Sequence, residues 1–353
     1  MISALVCAIA IAAPAKSITL TSFESFGRNR TTESGQVEME WNSAPISAPI
    51  KWKELVPSWN PVPGLTGKLE IQIRALYPDS ATKFYSFGIW TSEPQNFGEE
   101  MGSRTSLKDQ KDDLGDLQTD TLVLFKPATL CEVKIRWTGT EELKSVPLKA
   151  LTLNFASGEA SLLNRDSLKD AWGVELSIPT YCQGDYPNGG VICSPTSTAM
   201  VLNYWGESKS NDGWKAQPTD VVKGVYDHAW KGTGNWIFTA AYVGSMEGMR
   251  AGVHRLGDLR DLETLIANKI PVVCSVSYGM LKGKPEPEPN DGHLVVLRGF
   301  TKDGNPIFND PGRRDVRQVY KRADFQRAWK ASTQTVYLIH PESVTPPALS
   351  IDN

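Results

Sequence analysis

The sequence predicts two domains in series, an all-β sandwich followed by an α+β domain. Three observations carry this. The chain has 353 residues, more than one ordinary core accommodates. Its front half alternates apolar and polar residues with period two over several short runs, and no helical period competes. Its back half places helix-like segments first and strand-like runs after them, the order of α+β layering.

Residues 1–15 read as an export signal. Ile2 to Ala13 is apolar and Ala13-Pro14-Ala15 fits a small-x-small cleavage site, although no Lys or Arg precedes the run. The run is too short to span a bilayer, and no other segment is long and apolar enough, so no integral membrane segment is expected after signal removal. The expected location is secreted, periplasmic or cell-surface. A net charge of −3 gives no reason to expect nucleic acid or an anionic membrane as partner. Loss of residues 1–15 removes Cys7 and leaves Cys131, Cys182, Cys193 and Cys274, with no CxxC pair and too few for a disulfide scaffold. An exported protein could bridge Cys182 to Cys274; two buried free thiols is the preferred reading.

Residues 18–155 form the sandwich. Leu69 to Ala75 and Cys131 to Trp137 alternate strictly, and Thr121 to Phe125 and Leu148 to Phe155 are further strands. Turn signals such as Pro61-Val62-Pro63-Gly64 separate the runs, giving roughly eight strands. Trp52, Trp59, Trp90 and Trp137 could stack on a sugar, but aromatic side chains usually fill cores, and that assignment is preferred. Asp109, Asp112, Asp113, Asp116 and Asp120 lack the spacing of an EF-hand and read as a solvated loop rather than a calcium site. No metal and no cofactor are called for.

Residues 156–175 read as a linker and 176–342 as the second domain. A buried helix follows Cys193, with Pro195 in its first turn and Gly206 as its stop. Helices are expected near 219–230, 235–246, 258–268 and 323–329, and strands at 272–277, 293–300, 306–309, 316–320 and 335–340. The tail, 343–353, contains Pro346-Pro347 and is expected to be flexible.

Cys193 is the candidate nucleophile. A thiol at the start of a buried helix meets unpaired N–H groups and the positive end of the dipole, and both favour thiolate. Of the four histidines, His293 alone begins a strand, after Asp291-Gly292. Asp310 ends the next strand, where a carboxylate would orient the imidazole. Asn309 is the alternative, but strand alternation points the two side chains to opposite faces, and Asp310 is preferred. Gln183, ten residues before Cys193, could donate its side-chain N–H to a developing oxyanion. His228, His254 and His340 have no matching context. Gly279 to Asp291, polar and rich in Pro and Gly, is a candidate lid.

A glutamine, a cysteine at a helix start, Gly-His at a strand start and then Asn-Asp-Pro together resemble the C39-like branch of the papain-like cysteine peptidases. The resemblance covers about residues 176–342. It implies a papain-like α+β fold, with Gln183 in the oxyanion hole, Cys193 as nucleophile, His293 as acid/base and Asp310 as orienting acid. Many members have Cys-Gly-Pro where this chain has Cys193-Ser194-Pro195. The front half resembles the sandwich domains that precede such peptidase domains in some bacterial proteins. Members that export bacteriocins are fused to a membrane-spanning, nucleotide-binding transporter; this chain has no GxxxxGK[ST] motif.

The expected activity is therefore an exported thiol peptidase acting on peptide or isopeptide amide bonds, with a peptide or protein as substrate, cell-wall peptide included. The alternatives are a transglutaminase-like thiol acyltransferase, in which an amine replaces water, and a non-catalytic surface-binding protein.

Overall fold

The computed structural model describes residues 15–33, 35–94, 104–158 and 162–352. Most of the segment read as an export signal, residues 1–14, lies outside them. Among the described residues no helix is long and apolar enough to cross a membrane.

The front domain is built of antiparallel strands: β1 (Ala15–Leu20), β2 (Gly27–Glu33), β3 (Gln36–Asn42), β4 (Ile46–Pro61), β5 (Lys68–Tyr77), β6 (Ser80–Ala81), β7 (Tyr85–Trp90), β8 (Gly115–Gln118), β9 (Thr121–Gly139) and β10 (Leu148–Ala156). They form one connected ladder system, ordered β1-β10-β4-β9-β3-β2, with β5 and β8 also joined to β9. Two long strands make the connection. In β9, residues 121–124 pair with β8 and residues 130–138 with β5. Pro127, which has no N–H for a ladder, lies in the exposed stretch between them. In β4, Ile46 and Ser47 pair with β9, and residues 54–61 pair with β10 after shifts in register.

Period-two alternation fills the interior as the sequence suggests: Leu69, Ile71, Ile73 and Ala75 of β5 are fully buried. Trp52, Trp59, Trp90 and Trp137 are at most 2% exposed, so they pack the core rather than a ligand platform. In the acidic stretch, Asp112 accepts from the Tyr85 hydroxyl at 2.6 Å and from the Leu114 and Gly115 N–H groups. Asp120 accepts from the Trp236 N–H of the second domain.

The second domain contains α1 (Cys193–Ser208), α2 (Pro218–Val225), α3 (Trp236–Gly244), β11 (Met249–Arg255), α4 (Leu259–Ala267), β12 (Val272–Ser277), α5 (Tyr278–Leu281), β13 (Gly292–Phe300), β14 (Pro306–Asn309), β15 (Arg317–Val319), α6 (Arg322–Ala331) and β16 (Thr335–Pro341). Its antiparallel sheet runs β11-β16-β12-β13-β14-β15. Two local expectations are corrected. Gly206 does not stop α1, which continues to Ser208; a Cβ there would lie 2.6 Å from the Lys215 side chain and 3.0 Å from the Asn211 carbonyl, so close approach requires the glycine. β11 was not expected at all. Its sequence, MRAGVHR, has one β-branched residue, and it becomes a strand by pairing along β16.

β11 is an edge strand, and the front domain covers it. The outward N–H groups of Ala251, Val253 and Arg255 donate to Asn60 Oδ1, Ser58 Oγ and Asn154 Oδ1 at 3.2, 3.0 and 3.2 Å. Asn60 Nδ2 returns a bond to the Ala251 carbonyl at 2.7 Å. The polar residues of β4 and β10 that alternation assigns to solvent are therefore buried against the second domain.

The expected linker and tail are also packed. Arg165 bonds Asp258 and Asp261 at 2.7 Å each, and Trp172 Nε1 donates to Glu263 at 2.8 Å. Past β16 the chain turns back across both domains: the Ser350 N–H donates to Asp261, the Ser17 N–H donates to the Ile351 carbonyl at 2.9 Å, and Ile351 is 2% exposed. A flexible tail is thus replaced by a strap whose backbone is hydrogen-bonded.

Candidate active site

Three elements converge on one cleft. α1 brings Cys193 as its first residue and is buried from Ser194 to Asn203, with Ser and Thr in its first turns and apolar residues after them. Ser197 Oγ donates to the Leu294 carbonyl at 3.0 Å, tying the first turn of α1 to the start of β13, where His293 stands. β14 pairs with β13 and delivers Asp310 just beyond its end.

These placements bring Cys193, His293 and Asp310 together. Asp310 Oδ1 lies 2.7 Å from His293 Nε2. The Cys193 sulfur interacts electrostatically with the same imidazole, whose Nδ1 is the nitrogen not engaged by Asp310. Asp310 is fully buried and His293 is 6% exposed, while Cys193 is partly open. Burial alone would push the imidazole toward neutrality; the bonds to Asp310 and Cys193 outweigh it and raise the His293 pKa to about 9. Burial pushes the Cys193 thiol up, but His293 and the N–H groups of Leu294 and Ser194 together hold it below the usual thiol range. Asp310 is likewise held below the ordinary carboxylate range, since His293, the Tyr320 hydroxyl and the Gly312 N–H outweigh its burial. The three shifts run in the directions that favour the charged forms of the sulfur, the ring and the acid.

Asn309 turns away, as alternation requires. It accepts from Arg298 at 2.7 Å and donates to the Pro179 carbonyl at 3.0 Å. Ser194, at the place of the glycine common in the C39-like branch, points inward, its Oγ 3.0 Å from the Tyr337 hydroxyl, so it does not crowd the cleft. Gln183 sits on a short 3₁₀ turn, its N–H bonded to the Pro311 carbonyl and its Nε2 to the Gly189 carbonyl at 2.6 Å. It is thus fastened next to Asp310 on one side and four residues before Cys193 on the other. Its Oε1 is buried without a partner, and Nε2 keeps one N–H beyond the Gly189 bond.

Sequence reasoning missed the residues around the acid and the imidazole. The Tyr320 hydroxyl donates to Asp310 Oδ2 at 2.5 Å. The Tyr278 ring lies over the His293 ring, centroids 4.1 Å apart, with the Lys282 ammonium 3.8 Å from the Tyr278 centroid. A Cβ on Gly312 would meet the Tyr278 hydroxyl, Asp310 and His293 at 3.0–3.2 Å, so a side chain there would have to push these site groups aside by a few tenths of an ångström. Asp310-Pro311-Gly312 is a turn signal that could have marked that position; nothing local marks the two tyrosines. The segment read as a lid begins as α5 and is pinned by Asp291, which accepts from the Ser277 hydroxyl at 2.6 Å and the Glu288 N–H at 3.1 Å.

Outside the cleft, His254 is buried beside Ser17 Oγ at 3.1 Å, and burial pulls its pKa down to about 4. Cys182 and Cys274 are free thiols. Among the described residues no group of three His, Cys, Asp or Glu side chains is placed to hold a metal.

Comparison with known proteins agrees with the two-domain division. Residues 175–337 match the model of the Peptidase C39 like family, and residues 4–148 match that of the Peptidase C39 N-terminal domain. No curated protein matches the chain. A crystal structure described as a candidate C39-like peptidase from Bacillus anthracis aligns over 49% of this chain and 96% of its own, at 15% identity and a TM-score of 0.33, a likeness too low to add weight. The second domain thus matches the Peptidase C39 like family, and the front domain matches the Peptidase C39 N-terminal domain.

Proposed function

We propose that the chain is an exported thiol peptidase that hydrolyses peptide or isopeptide amide bonds in peptides or proteins, cell-wall peptide among them. One observation carries the proposal: His293 is held between the Cys193 sulfur and the Asp310 carboxylate. The Cys193 thiolate attacks the scissile carbonyl carbon. The Cys193 N–H and the remaining N–H of Gln183 receive the oxyanion. His293 then gives its proton to the leaving amine, which departs and leaves an acyl thioester on Cys193. Water, deprotonated by His293, releases the acid and restores the thiol. Asp310 keeps the ring oriented and its charge compensated throughout.

In this reading the second domain is a papain-like α+β unit and the front domain a β-sandwich whose two layers share β4 and β9. Removal of residues 1–15 during export leaves Lys16 first; the mass of the protein recovered from the culture medium or periplasm tests this. For the activity, a thiol-reactive peptidyl probe is expected to label the full chain once, at Cys193, and to fail on Cys193→Ala. Unchanged labelling of that variant overturns the assignment. Product masses with and without added amine separate hydrolysis from acyl transfer.

A further inference from the structure

Five large hydrophobic residues stand out as exposed among the described residues, and three of them, Leu107, Val191 and Trp230, belong to segments joined by hydrogen bonds, one of which leads into Cys193. The tie is Asp227, fully buried. Its Oδ1 accepts the N–H groups of Ser106 in the front domain and of Ala229 and Trp230, at 3.0, 3.1 and 3.2 Å. Its Oδ2 accepts from Asn235 Nδ2 at 2.9 Å. A second rung joins the domains, from the His228 N–H to the Arg104 carbonyl at 3.0 Å. Leu107 is therefore carried by the same carboxylate oxygen that fixes Trp230. The loop is also fastened toward the cleft, because Thr233 Oγ1 donates to the carbonyl of Val191, two residues before Cys193.

Trp230 is held as well as exposed. The loop closes on itself through the Asp227 N–H and the Gly232 carbonyl at 2.8 Å. A Cβ on Gly232 or Gly234 would lie 2.8 or 2.9 Å from the indole, so the ring lies along two residues that have no side chain to displace it. One face is thus set by the loop and the rest is open, at 49% exposure. An aromatic plane held in one orientation loses little freedom when it gains a contact, which suits it to recognition.

We propose that Leu107, Val191 and Trp230 form a substrate ledge, assembled from both domains, that takes an apolar or aromatic side chain of the peptide next to the scissile bond. This rests on the peptidase reading above and adds a role for the front domain: its Arg104–Leu107 segment supplies one part of the ledge and braces the rest. The occupant follows from the surface. Exposed apolar side chains on segments fastened to the one that leads into the nucleophile gain most by covering an apolar group, and a charged one would lose its hydration there.

The test uses the full chain in two arms. In the first, a fluorogenic peptide library is cleaved by wild type, Trp230→Ala, Trp230→Phe and Leu107→Ala. Peptides with Phe or Leu beside the cleaved bond are expected to lose about 10-fold or more in kcat/KM in Trp230→Ala, with smaller losses in Leu107→Ala and recovery in Trp230→Phe. Peptides with Gly or Ser there are expected to change little. In the second arm, immobilised Cys193→Ala protein selects peptides from the same library, with and without Trp230→Ala, and the retained peptides are read by mass. Enrichment of apolar residues that disappears with Trp230→Ala supports the ledge even if no peptide is cleaved, a result that would count against the hydrolase alone. No apolar enrichment, or enrichment and cleavage preference both indifferent to residue 230, overturns the ledge.

Discussion

His293 bonds Asp310 through Nε2 and is coupled electrostatically to Cys193, and the pH behaviour of the site follows from these two partners. Its pKa, raised to about 9, means the imidazolium persists through neutral pH in the folded chain. A group raised on folding contributes stability that is full below its ordinary value of 6.5 and is lost as pH rises through about 9. Asp310, held low, acts in the opposite sense: its contribution is present above the ordinary carboxylate value and is lost as pH falls below it. The profile of kcat/KM against pH should therefore descend on its alkaline side near pH 9, where the ion pair loses its proton. Asp310→Asn removes the contact that raises the ring. That descent should then move to lower pH, and kcat/KM should fall by on the order of 10²–10⁴. A profile that does not move would mean that Asp310 has no hold on the imidazole's proton.

Among the elements, α1 and β13 matter most to each other, because the sulfur and the ring belong to different elements and must hold register. Ser197 is the link. Ser197→Ala leaves the Leu294 carbonyl buried without its donor and should cost about 1–3 kcal/mol, read by urea denaturation. It should also lower the rate of Cys193 alkylation at neutral pH, since the bond between sulfur and ring loosens. Much of this region was legible in the chain. A helix start at Cys193, a strand start at His293 and a strand end at Asp310 are local patterns, and alternation alone separates Asp310 from Asn309. The rest was not, because its causes are not local. β11 is a strand through its pairing with β16. Gly206 looks like a stop and is instead a gap for Lys215. Tyr278 reaches the site because α5 follows β12, the neighbour of β13, and Tyr320 because the end of β15 runs alongside β14. The segment before Val174 looks like a linker because Arg165 and Trp172 find their partners some 90 residues away.

At the scale of the molecule the two domains share one buried surface. Ser58, Asn60 and Asn154 occupy the face of their strands that period-two reasoning assigns to water, and they supply acceptors for β11 instead. Each replaces a neighbour that the edge strand lacks. The double variant Ser58→Ala/Asn60→Ala should lose about 2–4 kcal/mol in denaturation of the full chain, since two buried N–H groups and the Ala251 carbonyl lose their partners. The fragment 172–342 expressed without the front domain should elute in size-exclusion chromatography as oligomers rather than as a monomer, because the uncovered N–H groups of β11 pair with another copy. A clean monomer would show that the edge tolerates water. The covered edge also limits how this protein can be recombined. The front half is not an interchangeable cassette: a chimera that grafts another front module onto the same second domain must reproduce two amides and one hydroxyl at a spacing matched to every second residue of a neighbouring strand, or leave that domain open to self-association.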